Sequence, residues 1–164
     1  MAPPSWIPIV LSAVGVIIAF LAFAWQIHRA RFNQSVDLLF RLENDFFGSK
    51  KAAQRAEAAA NLLADANNFT EVEDILDFFE TIAMLTRKGA LRLYFVWHTF
   101  DYWIERYYAV SLPHIRASQA ADPGRWEDLD WLLSKLKKLQ AKRGGSSLSE
   151  AELNHFLNEE SAVA

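Results

Sequence analysis

Apolar and polar positions follow two regimes along this chain. Residues 6 to 25 read WIPIVLSAVGVIIAFLAFAW, twenty positions without a charge. As a helix rising 1.5 Å per residue they extend roughly 30 Å, the thickness of a bilayer's hydrocarbon core. After residue 28 no strand-like alternation occurs, and a helical period recurs almost everywhere. The expected fold is therefore all-α: one amino-terminal transmembrane helix followed by a cytoplasmic bundle of about five helices.

The first helix is expected to continue past the span through RFNQSVDLLFRLENDFF, with Val36, Leu39, Phe40, Glu43 and Phe47 on one stripe and a stop at Gly48-Ser49. SKKAAQRAEAAANLLADANN is alanine-rich and helix-forming, with Ser49 as its cap. A third helix opens on a Thr70/Glu73 capping box and closes at Gly89, and Val72, Ile75, Phe79, Ile82 and Leu85 form its core stripe. A fourth runs from about Leu91 to Val110, where Pro113 kinks or ends it. A fifth carries Trp126, Leu129, Leu133, Leu136 and Leu139 at core spacing. The division expected is an anchor over 1–28 (span 6–25), a bundle over 29–143, and a polar tail over 144–164 with a short helix opened by Ser147/Glu150. No internal repeat is evident.

Charge sharpens the picture of the amino terminus. All 37 charged side chains lie in the last 136 residues, and none precedes Arg29. Trp6 and Trp25 bracket the span, where indole rings favour the headgroup region. Ala22-Phe23-Ala24 offers a cleavage site, but MAPPS lacks the leading positive charge of a signal peptide, so an uncleaved anchor is the expectation. His28, Arg29 and Arg31 follow the span, so the expectation is a single-pass protein of the inner (cell) membrane with its amino terminus outside and its bundle in the cytoplasm. The lipid bilayer is thus the first expected partner. A net charge of -3 gives no general attraction to nucleic acid. The absence of cysteine excludes disulfides, thiolate zinc sites and cysteine nucleophiles.

Candidate chemistry concentrates in RLYFVWHTFDYW, residues 92 to 103. Arg92 followed by His98 is the spacing of HEPN-like helical ribonucleases, in which the histidine serves as general acid/base and the arginine stabilises phosphate charge. On a helical wheel the two stand about 120° apart, and Leu93 occupies a position usually polar in that motif. With ten arginines and four histidines in the chain, chance supplies such a pair. The plainer reading pairs Arg92 with surface carboxylates and leaves His98 on a polar flank. His98, Asp101 and Glu105 share one face, yet no second ligand motif accompanies them, so no metal and no cofactor is expected. Glu80 lies close to an apolar stripe and needs a partner. Arg116 or Arg106 would make a structural ion pair with it between the third and fourth helices. The basic run from Lys135 to Arg143 suits a helix end, with acidic lipid as a second reading.

Surface features point toward association. Ser12, Gly15, Ala19 and Ala22 recur at three- or four-residue spacing in the span, which permits close helix contact in a bilayer. Trp97, Trp103, Tyr107 and Tyr108 are interface candidates wherever they are not core. The expected function is a non-enzymatic, membrane-anchored module acting as a homo-oligomer or on a protein partner. The alternative is a ribonuclease built on Arg92 and His98.

ILDFFETIAMLTRKGAL, VWHTFDYWIERYY, PHIRAS and RWEDLDWLL together resemble a bacterial family with one amino-terminal span and a helical domain of unknown function. The likeness covers about residues 71 to 133 and rests on the aromatics with Glu80, Gly89, Trp103 and Arg116. In architecture, and in Arg92/His98, the chain also resembles the small membrane accessory proteins of RNA-targeting CRISPR systems. That resemblance implies assembly into a ring of spans that alters membrane permeability.

Overall fold

Between residues 26 and 47 no proline or glycine interrupts the helical pattern, and the first helix runs on unbroken for 42 residues. The computed structural model describes residues 6–66, 68–142 and 148–163, without the side chains of residues 6–11 and 13. Seven helices and no strand occur among the described residues: α1 (Trp6–Phe47), α2 (Ser49–Leu63), α3 (Thr70–Arg87), α4 (Leu93–Val110), α5 (Leu112–Ala121), α6 (Glu127–Ala141) and α7 (Glu150–Ser161). The expected boundary at residues 28 and 29 therefore falls inside α1. Among the described residues no helix is long and apolar enough to cross a membrane. The expected span takes in residues 6–11 and 13, whose side chains lie outside that description.

Gly48 ends α1 for a steric reason. A Cβ there would stand 2.9 Å from the Asn44 carbonyl oxygen and 3.3 Å from that of Asp45. At the end of α3, Gly89 takes φ +76°, and the N–H groups of Gly89 and Ala90 close on the carbonyls of Thr86 and Leu85. The fourth expected helix is two. α4 stops at Val110, and α5 restarts at Leu112 with Pro113 in its first turn, where a missing N–H is harmless.

Contacts fix how the helices run. Gln54 with Asp74 and Asn61 with Glu71 make α2 and α3 antiparallel. Tyr108 with Asp130, and Gln140 with Asp101 and Glu105, make α4 and α6 antiparallel. α1 runs alongside α4 in the same direction, meeting its start through Ser35 and its middle through Phe46 and Trp103. Phe46 is the hub of the core, with the rings of Phe78, Phe79, Phe100 and Trp103 at 5.4–5.7 Å.

Several sequence expectations need correction. α1 turns Ser35, Leu38, Leu39, Leu42 and Phe46 toward the bundle, while Phe40 and Phe47 are exposed. The apolar residues of α1 lie nearly all round the helix, so their spacing does not select a face. Neither Ser49 nor Thr70 caps its helix: Gly48 precedes α2 without a side-chain cap, and Asn68 Oδ1 accepts from the N–H and hydroxyl of Thr70. Glu73 is drawn away from the expected box by Arg125 and His114. The expected polar tail is part of the bundle, since α7 buries Phe156 and Leu157 against α2 and α4. Its capping box is Ser149/Glu152, two residues later than expected, and Ser147 lies outside the described residues.

Candidate functional site

Arg92 and His98, the residues with the sharpest chemical expectation, make separate sets of contacts. Arg92 sits just before α4 in extended backbone, and its N–H donates to Ser35 Oγ at 3.1 Å. Its guanidinium carbon lies 4.8 Å from the centre of the Phe32 ring, so it meets an aromatic face and not the expected carboxylates. His98 is exposed, edge-on to Tyr94 at 4.3 Å and to Trp97 at 4.6 Å. The rest of α4 follows its wheel: Val96, Phe100, Ile104 and Tyr107 are buried, and Trp97 and Trp103 lie half-buried at the margin.

Two other expected groups are resolved differently. Asp101 and Glu105 both accept from Gln140 Nε2, at 3.0 and 2.9 Å, so one amide bridges a pair of like charges. Burial raises the Asp101 carboxyl above its ordinary range, partly offset by the Gln140 bond, and the Glu105 charge adds to the rise. Among the described residues no three His, Cys, Asp or Glu side chains converge as a metal site.

Glu80 does not pair with Arg116. Its two carboxylate oxygens accept from the N–H groups of Asp128 and Leu129, at 3.1 and 2.7 Å, and so close the start of α6. Burial raises the Glu80 pKa against the lowering effect of those two N–H bonds. Arg116 instead lies 3.7 Å from Asp130 and donates to Gln119. Arg106 folds back over the Tyr102 ring.

Glu80 is one member of a polar stripe along α3. Glu73 holds His114 at 2.9 Å and Arg125 at 2.8 Å. Asp77 accepts from the Trp126 indole N–H at 2.7 Å, and Arg87 reaches Glu127 and Asp128. These residues recur at three- to seven-residue intervals on one face, and each grips the corner between α5 and α6. Trp126 sits at that corner in the left-handed region, φ +57°, with its ring buried. The grip supplies what holds a bulky residue in a conformation normally left to glycine.

Deeper inside, three helices meet at one carboxylate. Arg55 Nε of α2 lies 3.1 Å from Glu160 Oε2 of α7, with side chains 5% and 8% exposed. The Tyr107 hydroxyl donates to the same oxygen at 3.0 Å, and the Trp103 indole N–H donates to the other at 3.3 Å. The Arg55 guanidinium also lies over Phe46 at 4.4 Å. Burial, then the neighbouring carboxylate, holds the Tyr107 phenol firmly protonated. Arg55 and Glu160 escaped sequence reasoning because each looks like a surface charge on its own helix. The i, i+3, i+4, i+7 spacing of Leu153, Phe156, Leu157 and Glu160 was the signal that could have found the latter.

A cleft of about 420 Å³ opens between α4, α6 and residues 148–153, with an apolar floor of Leu112, Leu133 and Leu153 and with Glu105 and Lys137 among its lining groups. It holds no nucleophile–base pair. The Tyr108 hydroxyl donates to Asp130, and burial pushes its pKa up to about 12. Of the interface candidates, Trp103 is committed to the core and to Glu160, Trp97 packs at the margin, and Gly15 and Ala19 lie exposed on α1.

The family model described as "Domain of unknown function (DUF4760)" matches residues 9–136, and the chain belongs to that family. No curated protein and no solved structure matches the chain. The matched stretch ends within α6, before the helix that supplies Glu160.

Proposed function

We propose that this member of the DUF4760 family is a membrane-tethered helical module, facing the cytoplasm, that acts by association with its own copies or with a protein partner. One observation carries the reading. From Val16 to Trp25 the apolar side chains of α1 stand clear of the bundle, with Val16, Ile17, Ile18, Phe20, Leu21, Phe23 and Trp25 all 58–72% exposed. Successive residues step about 100° round a helix, so these seven spread over about 220° of its circumference, and the small residues Gly15, Ala19 and Ala22 occupy the remaining wedge. A protein partner covers one side of such a helix, whereas lipid covers all of it. Exposed apolar surface of this extent marks a membrane or an interaction site. The charge-free stretch 6–25 and the cations Arg29 and Arg31 that follow it support a bundle on the cytoplasmic side.

The test is flotation of the full-length chain with carbonate-washed membranes, followed by light scattering of the detergent-solubilised protein. Recovery in the membrane fraction is expected, with a mass above that of one chain. A chain left in the soluble fraction overturns the tether, and a discrete monomer removes self-association and leaves a partner to be found by pull-down. The pore arrangement of the CRISPR accessory proteins requires the larger assembly, with liposome leakage as its own assay. The ribonuclease reading has no comparable observation behind it, and loss of RNA cleavage in Arg92→Ala or His98→Ala would be needed to revive it.

A further inference from the structure

The corner between α3 and α4 carries two cations, Lys88 and Arg92, and meets α1 about two turns past Trp25, beyond the projecting apolar stretch. The Arg92 guanidinium over the Phe32 ring and the Arg92 N–H on Ser35 fix that corner against α1 at residues 32–35. The level of Phe32 is about 10 Å along the helix axis from Trp25, at 1.5 Å per residue. Lys88 and Arg92 are exposed there, as are Arg29 and Arg31 on α1. Arg29 lies over the Trp25 ring at 5.3 Å.

These four cations have no acid among them. No Asp or Glu occurs from residue 1 to 36 or from 88 to 100, and none of the four enters an ion pair among the described residues. Arg87, one residue before the corner, is different, because Glu127 and Asp128 already neutralise it. Gathering like charges from two distant segments is unfavourable unless something anionic lies against them. The field of an anionic leaflet decays over about one Debye length, roughly 8 Å at physiological salt, so a corner about 10 Å from Trp25 still feels part of it.

We infer that the corner between α3 and α4 is a docking surface for anionic lipid headgroups, with Lys88 and Arg92 joining Arg29 and Arg31 to seat the bundle on the membrane. This rests on the membrane-tethered reading above and adds the partner of the bundle itself. It also gives Arg92 a role in which charge matters and acid/base partnership with His98 does not.

The experiment uses the full-length chain in nanodiscs of phosphatidylcholine alone and of phosphatidylcholine mixed equally with phosphatidylglycerol. Amide hydrogen exchange is followed over residues 88–96. Each cation near an anionic surface is worth roughly a factor of five in an equilibrium constant. Exchange in this segment is therefore expected to slow severalfold in the anionic discs. The double variant Lys88→Gln with Arg92→Gln is expected to lose the slowing, and Arg92→Lys is expected to keep it. Equal exchange of the wild-type segment in both discs overturns the proposal, as does slowing that survives the double variant. Exchange in phosphatidylcholine discs reports whether each variant remains folded. Failure to enter discs at all would sink the tether instead, so the two outcomes are distinguishable.

Discussion

Two polar networks hold this bundle together, and they differ in burial more than in chemistry. The inner one joins Arg55, Glu160, Tyr107 and Trp103 across α2, α4 and α7, out of contact with water. The outer one joins the α3 stripe of Glu73, Asp77, Glu80 and Arg87 to the α5–α6 corner, half in water. In the inner network Arg55, Tyr107 and Trp103 all meet one carboxylate, so removing it takes a partner from all three at once. That leaves only backbone carbonyls, of Phe46 for Arg55 and of Arg55 for Tyr107. In the outer network each contact is separate and screened, so the loss of one leaves the others in place. The inner network fixes whether α7 belongs to the bundle, and the outer one fixes the path of a turn.

The largest test of this contrast is Glu160→Ala. It leaves a buried guanidinium without its counter-charge, and such breaks cost about 3–5 kcal/mol. Urea melts should show that loss, together with rapid exchange of the α7 amides. Arg55→Met combined with Glu160→Leu should recover much of it, because apolar residues of similar size remove the stranded charge. A single variant as stable as wild type would mean that α7 is not held by this pair. Glu80→Ala comes next. It uncovers two N–H groups at the start of α6 while leaving Asp77 and Arg87 in place, for an expected loss of about 1–2 kcal/mol.

How far the sequence revealed these networks depends on where their signals lie. Helix existence was legible except at α5, which Pro113 separates from α4, and the periodicities of α3, α4 and α6 bury the expected Val72, Ile75, Phe79, Phe100, Ile104, Leu129 and Leu133. Faces were less legible. α1 has apolar residues on nearly every side, and its buried position 35 is a serine that accepts the Arg92 N–H, a contact visible only across 57 residues. Partners were least legible of all. Glu80 was rightly singled out as an acid near the core, but a helix start satisfied it with backbone N–H groups, which leave no mark in residue types. α7 looked like a tail since three apolar residues and one glutamate are too few to betray a buried helix without its counterpart on α2.

The smaller predictions sharpen the contrast from its weak side. Arg87→Ala removes two ion pairs to Glu127 and Asp128 on a partly exposed arginine. Its loss should be smaller than that of Glu80→Ala and shrink as salt is added, unlike that of Glu160→Ala. An Arg87→Ala loss that is large and insensitive to salt would break the distinction between the networks.

Asp101→Asn should go the other way. Asp101 and Glu105 repel each other across one turn while sharing Gln140, and like pairs at this spacing destabilise by about 0.2–0.5 kcal/mol. Asparagine keeps an acceptor for Gln140 and removes one charge, so the variant should be more stable than wild type by that amount at neutral pH. The pH dependence follows from the raised pKa of the Asp101 carboxyl, which burial lifts above its ordinary 3.8. A carboxyl that holds its proton more tightly folded than unfolded contributes its stability fully below the unfolded value, and loses it as pH rises through the folded one. Wild type should therefore close the gap to Asp101→Asn as pH falls toward 3.8, and melts at successive pH values would show the convergence. A gap that widens on acidification would mean that Asp101 is stabilised as an anion, and that Gln140 outweighs both burial and Glu105.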